Sequence, residues 1–257
     1  LESFDERRLM KGVILAGGLG TRLQPLTLVT NKHLLPVYDR PMIYYPIETL
    51  VNAGLREILI VTGGEHAGDF LKLLRNGKHL GIQELHYTYQ EGHGGIADAL
   101  LLAEDFADGE KICVVLGDNL IERDIRHAAG SFFTQPTGAK LLLKEVDEPH
   151  RFGVPRMEDG RIVEILEKPA DPPSAYAVTG IYFYDNDVFD ICRTREPSDR
   201  GELEITDVNN EYIRRGDLTW DVLEGWWSDA GTIESLHRAS RLVADGETGT
   251  VVASESP

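Results

Sequence analysis

Short apolar, β-branched runs alternate along this chain with stretches whose apolar positions recur at three and four residues. Residues 13–16 read as a strand that runs directly into the glycine-rich GGLGTRL. Residues 41–53 read as a helix, with Met42, Tyr45, Pro46, Thr49 and Leu50 along one face. Residues 57–62 (EILIVT) have the continuous apolar character of a strand buried on both faces. A helix over 66–74 ends at Asn76-Gly77, and 85–90 is a further strand. Residues 96–106 place Ile96, Ala99, Leu100, Ala103 and Phe106 at helical spacing, and 112–116 is a buried strand that ends in Gly117-Asp118-Asn119.

Strands alternating with helices predict a doubly wound, mostly parallel sheet for the first half. The second half reads differently. Residues 139–146, 152–167 and 177–184 are strand-rich, with Asp159-Gly160 as a hairpin turn. Helices follow over 205–215, closed by Gly216, and over 233–244, opened by Thr232 as N-cap. The expectation is an α/β fold with a Rossmann-like mixed sheet, in which the second half adds antiparallel strands to the same core. Neither an internal repeat nor a low-complexity linker divides the chain.

The 257 residues suffice for one large domain, and 42 % apolar with 27 % charged residues exclude a disordered or fibrous chain. The net charge of −17 repels phosphate backbones and anionic lipid, which argues against nucleic-acid and membrane partners. It leaves room for a small anion held by a few local cations. Cys113 and Cys192 are too few for a disulfide framework and lack metal-ligand spacing, which fits a reducing, cytoplasmic compartment. The apolar runs fall far short of the ~18 residues of a membrane span. Residues 1–9 are acidic, lack an apolar core, and read as a leader or cloning remnant, 10–245 as one domain, and 246–257 as a loose tail.

The glycine loop Gly17-Gly18-Leu19-Gly20-Thr21-Arg22 follows a strand, where glycines let a backbone approach phosphate oxygens closely. Leu23 stands where a dinucleotide fingerprint needs glycine or alanine, which disfavours a dehydrogenase, and Thr21-Arg22 replaces the Lys-Ser/Thr of a P-loop. By itself the segment also fits a tight turn after an edge strand. Lys32 close by could clamp a triphosphate or be a solvated loop lysine. Asp118 at a strand's carboxyl end is placed to hold Mg²⁺ on a nucleotide, and Asp118-Asn119 is also a common turn pair. Glu167-Lys168 could bind sugar hydroxyls and a phosphate, or be surface charge. Asp229, just before a helix, has the position of an N-cap. The histidines show no ligand spacing, and no serine or cysteine sits in a nucleophile elbow.

Nine segments in order resemble the sugar-1-phosphate nucleotidylyltransferase family: KGVILAGGLGTRL, NKHLLPVYDRPMIYYPIETL, QEGHGGIADAL, VVLGDN, RFGV, ILEKP, YAVTGIYFYD, RGELEITDVNNEYIRRG and WWSDAGT. The likeness runs from about Met10 to Ala244 and is greatest to members that join dTTP to glucose 1-phosphate with release of pyrophosphate. The resemblance implies that Gly17, Gly18, Gly20, Thr21, Arg22 and Lys32 cradle the triphosphate, and that Arg22 and Lys32 also serve the transition state. It implies that Asp118 and Asp229 share a catalytic Mg²⁺, that Gln90 and Gly95 hydrogen-bond the pyrimidine, and that Asn119, Gly153, Glu167, Lys168, Val178 and Arg200 line the sugar-phosphate site. It further implies a homotetramer.

Two residues depart from the family's usual pattern: His33 stands where many members have Gln, and Phe152 where many have Tyr. The chain also stops soon after Ala244, as short members do, so the resemblance does not carry over the feedback inhibition that longer members exert through their C-terminal helices. Two alternatives stay open, the same transfer with UTP or another sugar 1-phosphate and a non-catalytic sugar-nucleotide-binding module.

Overall fold

The structure is a computed structural model that describes residues 10–92 and 94–246. The expectations for 1–9 and for the tail from 247 fall outside the described residues. In order the elements are β1 (Lys11–Ala16), β2 (Pro36–Val37), β3 (Arg40–Pro41), α1 (Tyr44–Asn52), β4 (Glu57–Gly63), α2 (Ala67–Leu74), β5 (Glu84–Gln90), α3 (Ile96–Leu101), α4 (Glu104–Ala107), β6 (Ile112–Leu116) and β7 (Asn119–Ile121). They continue with α5 (Arg126–Thr134), β8 (Ala139–Glu145), β9 (Gly153–Glu158), β10 (Arg161–Glu167), β11 (Tyr176–Tyr184), α6 (Asp187–Arg193), α7 (Ile205–Arg215), β12 (Leu218–Val222), β13 (Trp227–Asp229) and α8 (Ile233–Ala244).

Seven strands form one sheet in the order β12-β8-β11-β6-β1-β4-β5. β1 pairs in parallel with β4 and β6, β4 with β5, and β8 with β12; β11 runs antiparallel to both of its neighbours. This is the mixed, mostly parallel Rossmann-like sheet that the pattern predicts. Alternate strand residues explain its two covered faces. Val13, Leu15 and Val114 pack into one apolar cluster, and Ile14, Cys113 and Val115 into the other. After β1 the chain crosses to β4 on one side, while β6 lies on the other. The carboxyl ends of β1 and β6 therefore flank a topological switch point, where a ligand crevice opens.

The second half joins this sheet through β8, β11 and β12, of which β11 alone opposes its neighbours. A separate antiparallel hairpin, β9–β10, turns on Asp159 and Gly160, whose φ angles of 47° and 75° are those of a two-residue hairpin loop. α7 ends at Gly216 with φ 77°, as expected of a C-terminal glycine.

Three local expectations change. The helix expected from 41 begins at Tyr44, because Arg40–Pro41 is held in a short ladder with Pro36–Val37. The helix expected over 96–106 divides into α3 and α4. The N–H groups of Leu102 and Ala103 reach back only three residues, to Ala99 and Leu100, and this tight turn redirects the chain while Ala99, Leu100, Ala103 and Ala107 stay in the core. β1 is an interior strand, so the glycine loop does not follow a sheet edge. The apolar pattern did not disclose α5, α6, β7, β12 or β13.

Candidate active site

The loop after β1 is glycine-rich because a lysine lies across it. A Cβ on Gly20, whose φ is 66°, would sit 2.7 Å from Lys32 Cβ, and one on Gly18 would sit 3.2 Å from Lys32 Cε. Thr27 Oγ1 donates to the Gly20 carbonyl at 2.7 Å, and Thr21 and Arg22 open a single 3₁₀ turn, Thr21–Leu23. Lys32 begins another such turn, whose first N–H groups are met by Asn31: its Oδ1 accepts from the His33 N–H at 2.9 Å and lies 2.8 Å from His33 Nδ1. The His33 ring is buried beneath Gly117. Burial first, and the neighbouring Lys32 second, lower its pKa to about 3, so it is neutral at pH 7.

Lys32 Nζ donates to Asp118 Oδ2 at 2.6 Å, joining the end of the glycine loop to the end of β6. Burial alone would raise the Asp118 carboxyl, but the Lys32 charge and hydrogen bonds from Lys32 and Asn119 hold it well below the usual carboxylate range. Asn119 is itself fixed. Its Oδ1 accepts from the Gly180 N–H at 2.9 Å and from Trp227 Nε1–H at 2.7 Å, which leaves Nδ2 to donate to Asp118 Oδ1 at 3.1 Å.

Asp229 lies on β13, which pairs with β7 in a register that sets Asp229 opposite Asn119. The Ala230 N–H donates to the Asp118 carbonyl at 2.8 Å. This ladder brings the two distant aspartates together, and it overturns the N-cap reading of Asp229. Thr232 caps α8 instead: its Oγ1 accepts from the Ser235 N–H at 3.2 Å, and Ser235 Oγ accepts from the Thr232 N–H at 3.0 Å. Burial, and then the charge of Asp118, raise the Asp229 carboxyl. Among the described residues its buried Oδ1 has no hydrogen-bond partner, while Oδ2 is 3.8 Å from Arg151 Nη2.

Asp118 and Asp229 open onto a cavity of about 180 Å³ whose wall also carries Arg22, Asn119, Gly153, Glu167, Lys168 and Val178, all chosen from the sequence. Glu167 Oε2 accepts from Thr206 Oγ1 at 2.7 Å, and its Oε1 lies 3.1 Å from Lys168 Nζ. Burial would raise Glu167, but these contacts lower it. Lys168 has φ 44°, left-handed backbone that a non-glycine residue rarely adopts and that clusters at ligand sites.

Arg200 stands behind the wall, donating to two of its carboxylates, Glu167 at 3.3 Å and Glu204 at 2.8 Å. Gln90 closes β5 and Gly95 precedes α3, and neither is on the cavity wall. Gln90 Oε1 faces the first glycine of the loop, so that a Cβ on Gly17 would come within 2.6 Å of it. Sequence reasoning gave no role to Arg151, Thr206 or Trp227. All three were within reach, because they stand in quoted segments: Trp227 in WWSDAGT, Arg151 in RFGV and Thr206 in RGELEITDVNNEYIRRG.

No group of three or more His, Cys, Asp or Glu residues among the described ones is arranged to hold a metal ion. The donor set is instead a carboxylate pair. The partnerless buried Oδ1 of Asp229 beside Asp118 fits a hard divalent cation whose remaining oxygens come from phosphate and water.

Residues 11–246 match the family model described as nucleotidyl transferase. A glucose-1-phosphate thymidylyltransferase of Neisseria meningitidis serogroup A is 45 % identical over 242 residues, which cover 91 % of this chain and 82 % of that protein. One from Mycolicibacterium smegmatis is 43 % identical over 237 residues, covering 91 % and 82 %. Among solved structures, a glucose-1-phosphate thymidylyltransferase from Bacillus anthracis in complex with sucrose superposes with a TM-score of 0.88 at 51 % identity, covering 92 % of this chain and 96 % of that one. A UDP-glucose pyrophosphorylase complexed with UDP-glucose gives 0.80 at 26 % identity, covering 93 % and 99 %.

Proposed function

Because the chain belongs to the nucleotidyl transferase family, we propose that it transfers a thymidylyl group from dTTP to glucose 1-phosphate, giving dTDP-glucose and pyrophosphate. A phosphate oxygen of the sugar phosphate attacks the α-phosphorus. The new P–O bond forms as the bond to the β-phosphate bridge breaks, and pyrophosphate leaves with the electron pair. The attacking phosphate, with a second pKa of about 6, is largely dianionic at pH 7 and needs no general base. This accords with a site that has no nucleophilic serine or cysteine.

The obstacle is repulsion between two anions, so the catalytic work is neutralisation and in-line positioning. Arg22 and Lys32 face the triphosphate from the glycine loop, and Lys168 meets the sugar phosphate, its ammonium steadied by Glu167. Glu167, aligned by Thr206, accepts from sugar hydroxyls. Asp118 and Asp229 would hold Mg²⁺, which when bound supplies further positive charge against the phosphates.

The observation that carries this reading is the meeting of Asp118 and Asp229 in one cavity with Arg22 and Lys168, inside a protein of net charge −17. Pyrophosphate release across four nucleoside triphosphates and several sugar 1-phosphates, with and without Mg²⁺, tests it. Release is expected with dTTP and glucose 1-phosphate in the presence of Mg²⁺. No release from any pair would sink the proposal, and a preference for UTP would redirect it.

No helix among the described residues is long and apolar enough to cross a membrane. The proposal extends to one catalytic unit over 10–245, a homotetramer and a cytoplasmic location. Light scattering on the purified chain tests the tetramer.

A further inference from the structure

We propose that Arg151 binds the phosphate of the sugar 1-phosphate, forming with Lys168 a two-cation clamp at the open end of the β9–β10 hairpin. The inference rests on the transfer reaction proposed above. It adds a binding residue that neither the glycine loop nor the carboxylate pair supplies.

Among the described residues three cations line the cavity, Arg22, Arg151 and Lys168. Arg22 comes from the glycine loop and faces the triphosphate. Lys168 Nζ lies 3.1 Å from Glu167 Oε1, so part of its charge is already balanced. A dianion at this end of the cavity needs a second cation, and Arg151 is the one that remains.

The backbone sets Arg151 beside Lys168. Gly153 on β9 pairs with Glu167 on β10, and the Lys168 N–H donates to the Phe152 carbonyl at 2.9 Å. The two cations therefore flank the mouth of one hairpin, one on each side. A single 3₁₀ turn, Pro149–Arg151, delivers the arginine, and its leading proline has its φ fixed by the ring.

The guanidinium is oriented but not used up. Its carbon lies over the Phe152 ring, 5.4 Å from the centroid, and Phe152 meets Trp227 edge-on at 5.0 Å and 60°. Nη1 donates at 3.2 Å to Oε2 of Glu148, which is not on the cavity wall. Nη2 is 3.8 Å from Asp229 Oδ2, near enough for attraction and too far for a hydrogen bond. A guanidinium carries five N–H groups, and Glu148 takes one. Those left form the planar fork by which arginine binds two oxygens of one phosphate. The place of Arg151 next to Asp229 sets that phosphate, the attacking group, beside the carboxylate pair.

Two measurements on the purified chain test this. Pyrophosphate release at saturating dTTP and Mg²⁺ gives the KM for glucose 1-phosphate. Calorimetric titration gives the affinities for dTDP-glucose and dTMP, of which only the first carries the sugar's phosphate. Arg151→Gln is expected to raise that KM and to weaken dTDP-glucose roughly 10- to 100-fold, the scale of a hydrogen bond to a charged group. The KM for dTTP, the affinity for dTMP and the melting temperature should stay as in the wild type. Arg151→Lys should recover part of the loss, because it restores the charge without the fork. Should Arg151→Gln not fold, Arg151→Lys carries the test, with a smaller loss confined to the same two ligands.

Equal losses for dTMP and dTDP-glucose, or none for either, would overturn the proposal. So would a changed Mg²⁺ requirement with the glucose 1-phosphate KM unmoved, since Arg151 would then serve only as a counterion to Asp229. A wild type that binds dTDP-glucose without releasing pyrophosphate would overturn the transfer reaction alone, and the calorimetric arm would still decide Arg151. A wild type that neither releases pyrophosphate nor binds dTDP-glucose would overturn both.

Discussion

The wall at the end of β6 and the wall at the end of β13 carry the same residue type with its carboxyl pushed in opposite directions. Asp118 already has a donor on each oxygen, Lys32 on one and Asn119 on the other, and its carboxyl lies well below the usual range. Asp229 sits in the same cavity with one oxygen unpartnered among the described residues, and its carboxyl is raised. The first acid is neutralised by a cation of the chain itself. The second has the environment of an acid that waits for a cation from outside. A site built only for rigidity would pair both, since an unpaired buried charge is costly.

The strongest way to break this contrast is at Asp229. Asp229→Asn is expected to abolish Mg²⁺-dependent pyrophosphate release while the far-ultraviolet spectrum stays native and the melting temperature holds or rises, because a raised, partly unpaired carboxylate is removed. Retained turnover would end the metal-site reading, and loss of the fold would show a structural role instead.

Next in size, Lys32→Ala should lower kcat/KM by roughly 10²–10³, about 3–4 kcal/mol, the usual loss for one preorganised electrostatic donor. Near wild-type turnover would remove Lys32 from the site.

The same variant sharpens the contrast through pH. In the wild type the depressed Asp118 adds stability that is present above the ordinary value of 3.8 and is lost as pH falls through its lower native value. Without Lys32, burial dominates and the native value moves above the unfolded one, so the sign reverses. Lys32→Ala should be ~3 kcal/mol less stable than wild type at pH 7, and the gap should narrow as Asp118 takes up a proton on acidification. Denaturant unfolding at pH 7 and pH 4 measures this, and a gap that widens toward pH 4 would contradict it.

The smallest effect tests how Asp118 is held. Trp227→Phe keeps an aromatic ring beside Phe152, now 5.0 Å away, but deletes the N–H that pins Asn119. A loss of ~1 kcal/mol is expected, seen as a several-fold higher Mg²⁺ requirement with kcat at saturating Mg²⁺ nearly unchanged. An unaltered Mg²⁺ requirement would mean that the Gly180 N–H alone suffices to orient Asn119.

Much of this architecture was legible residue by residue. The apolar runs of β1, β4 and β6 can satisfy their backbone and side chains only as interior strands covered on both faces, and the residues beyond them are then at the ligand-binding end. Asp159-Gly160 and Gly216 announce their turns because few residues adopt positive φ without strain. Asp229 shows where such reading stops. Its local context is that of a helix cap, and Thr232 three residues later serves that purpose equally well. The pairing of β13 with β7 is needed to tell the two apart. Arg200 carried a role by family likeness that its position only partly supports, since it lies behind the cavity wall and contacts the lining carboxylates Glu167 and Glu204.

The sequence by itself determined the parallel α/β sheet, the glycine loop, the cations and acids available for phosphate chemistry, and the family. These follow from periodicity, backbone freedom and residue type, which act over a few neighbours. Tertiary structure alone decided that Lys32 crosses the glycines to reach Asp118 and that Asp229 shares its cavity. Both depend on groups far apart in sequence that the fold brings together, where burial strips away water and makes the nearest charge or hydrogen-bond partner decisive.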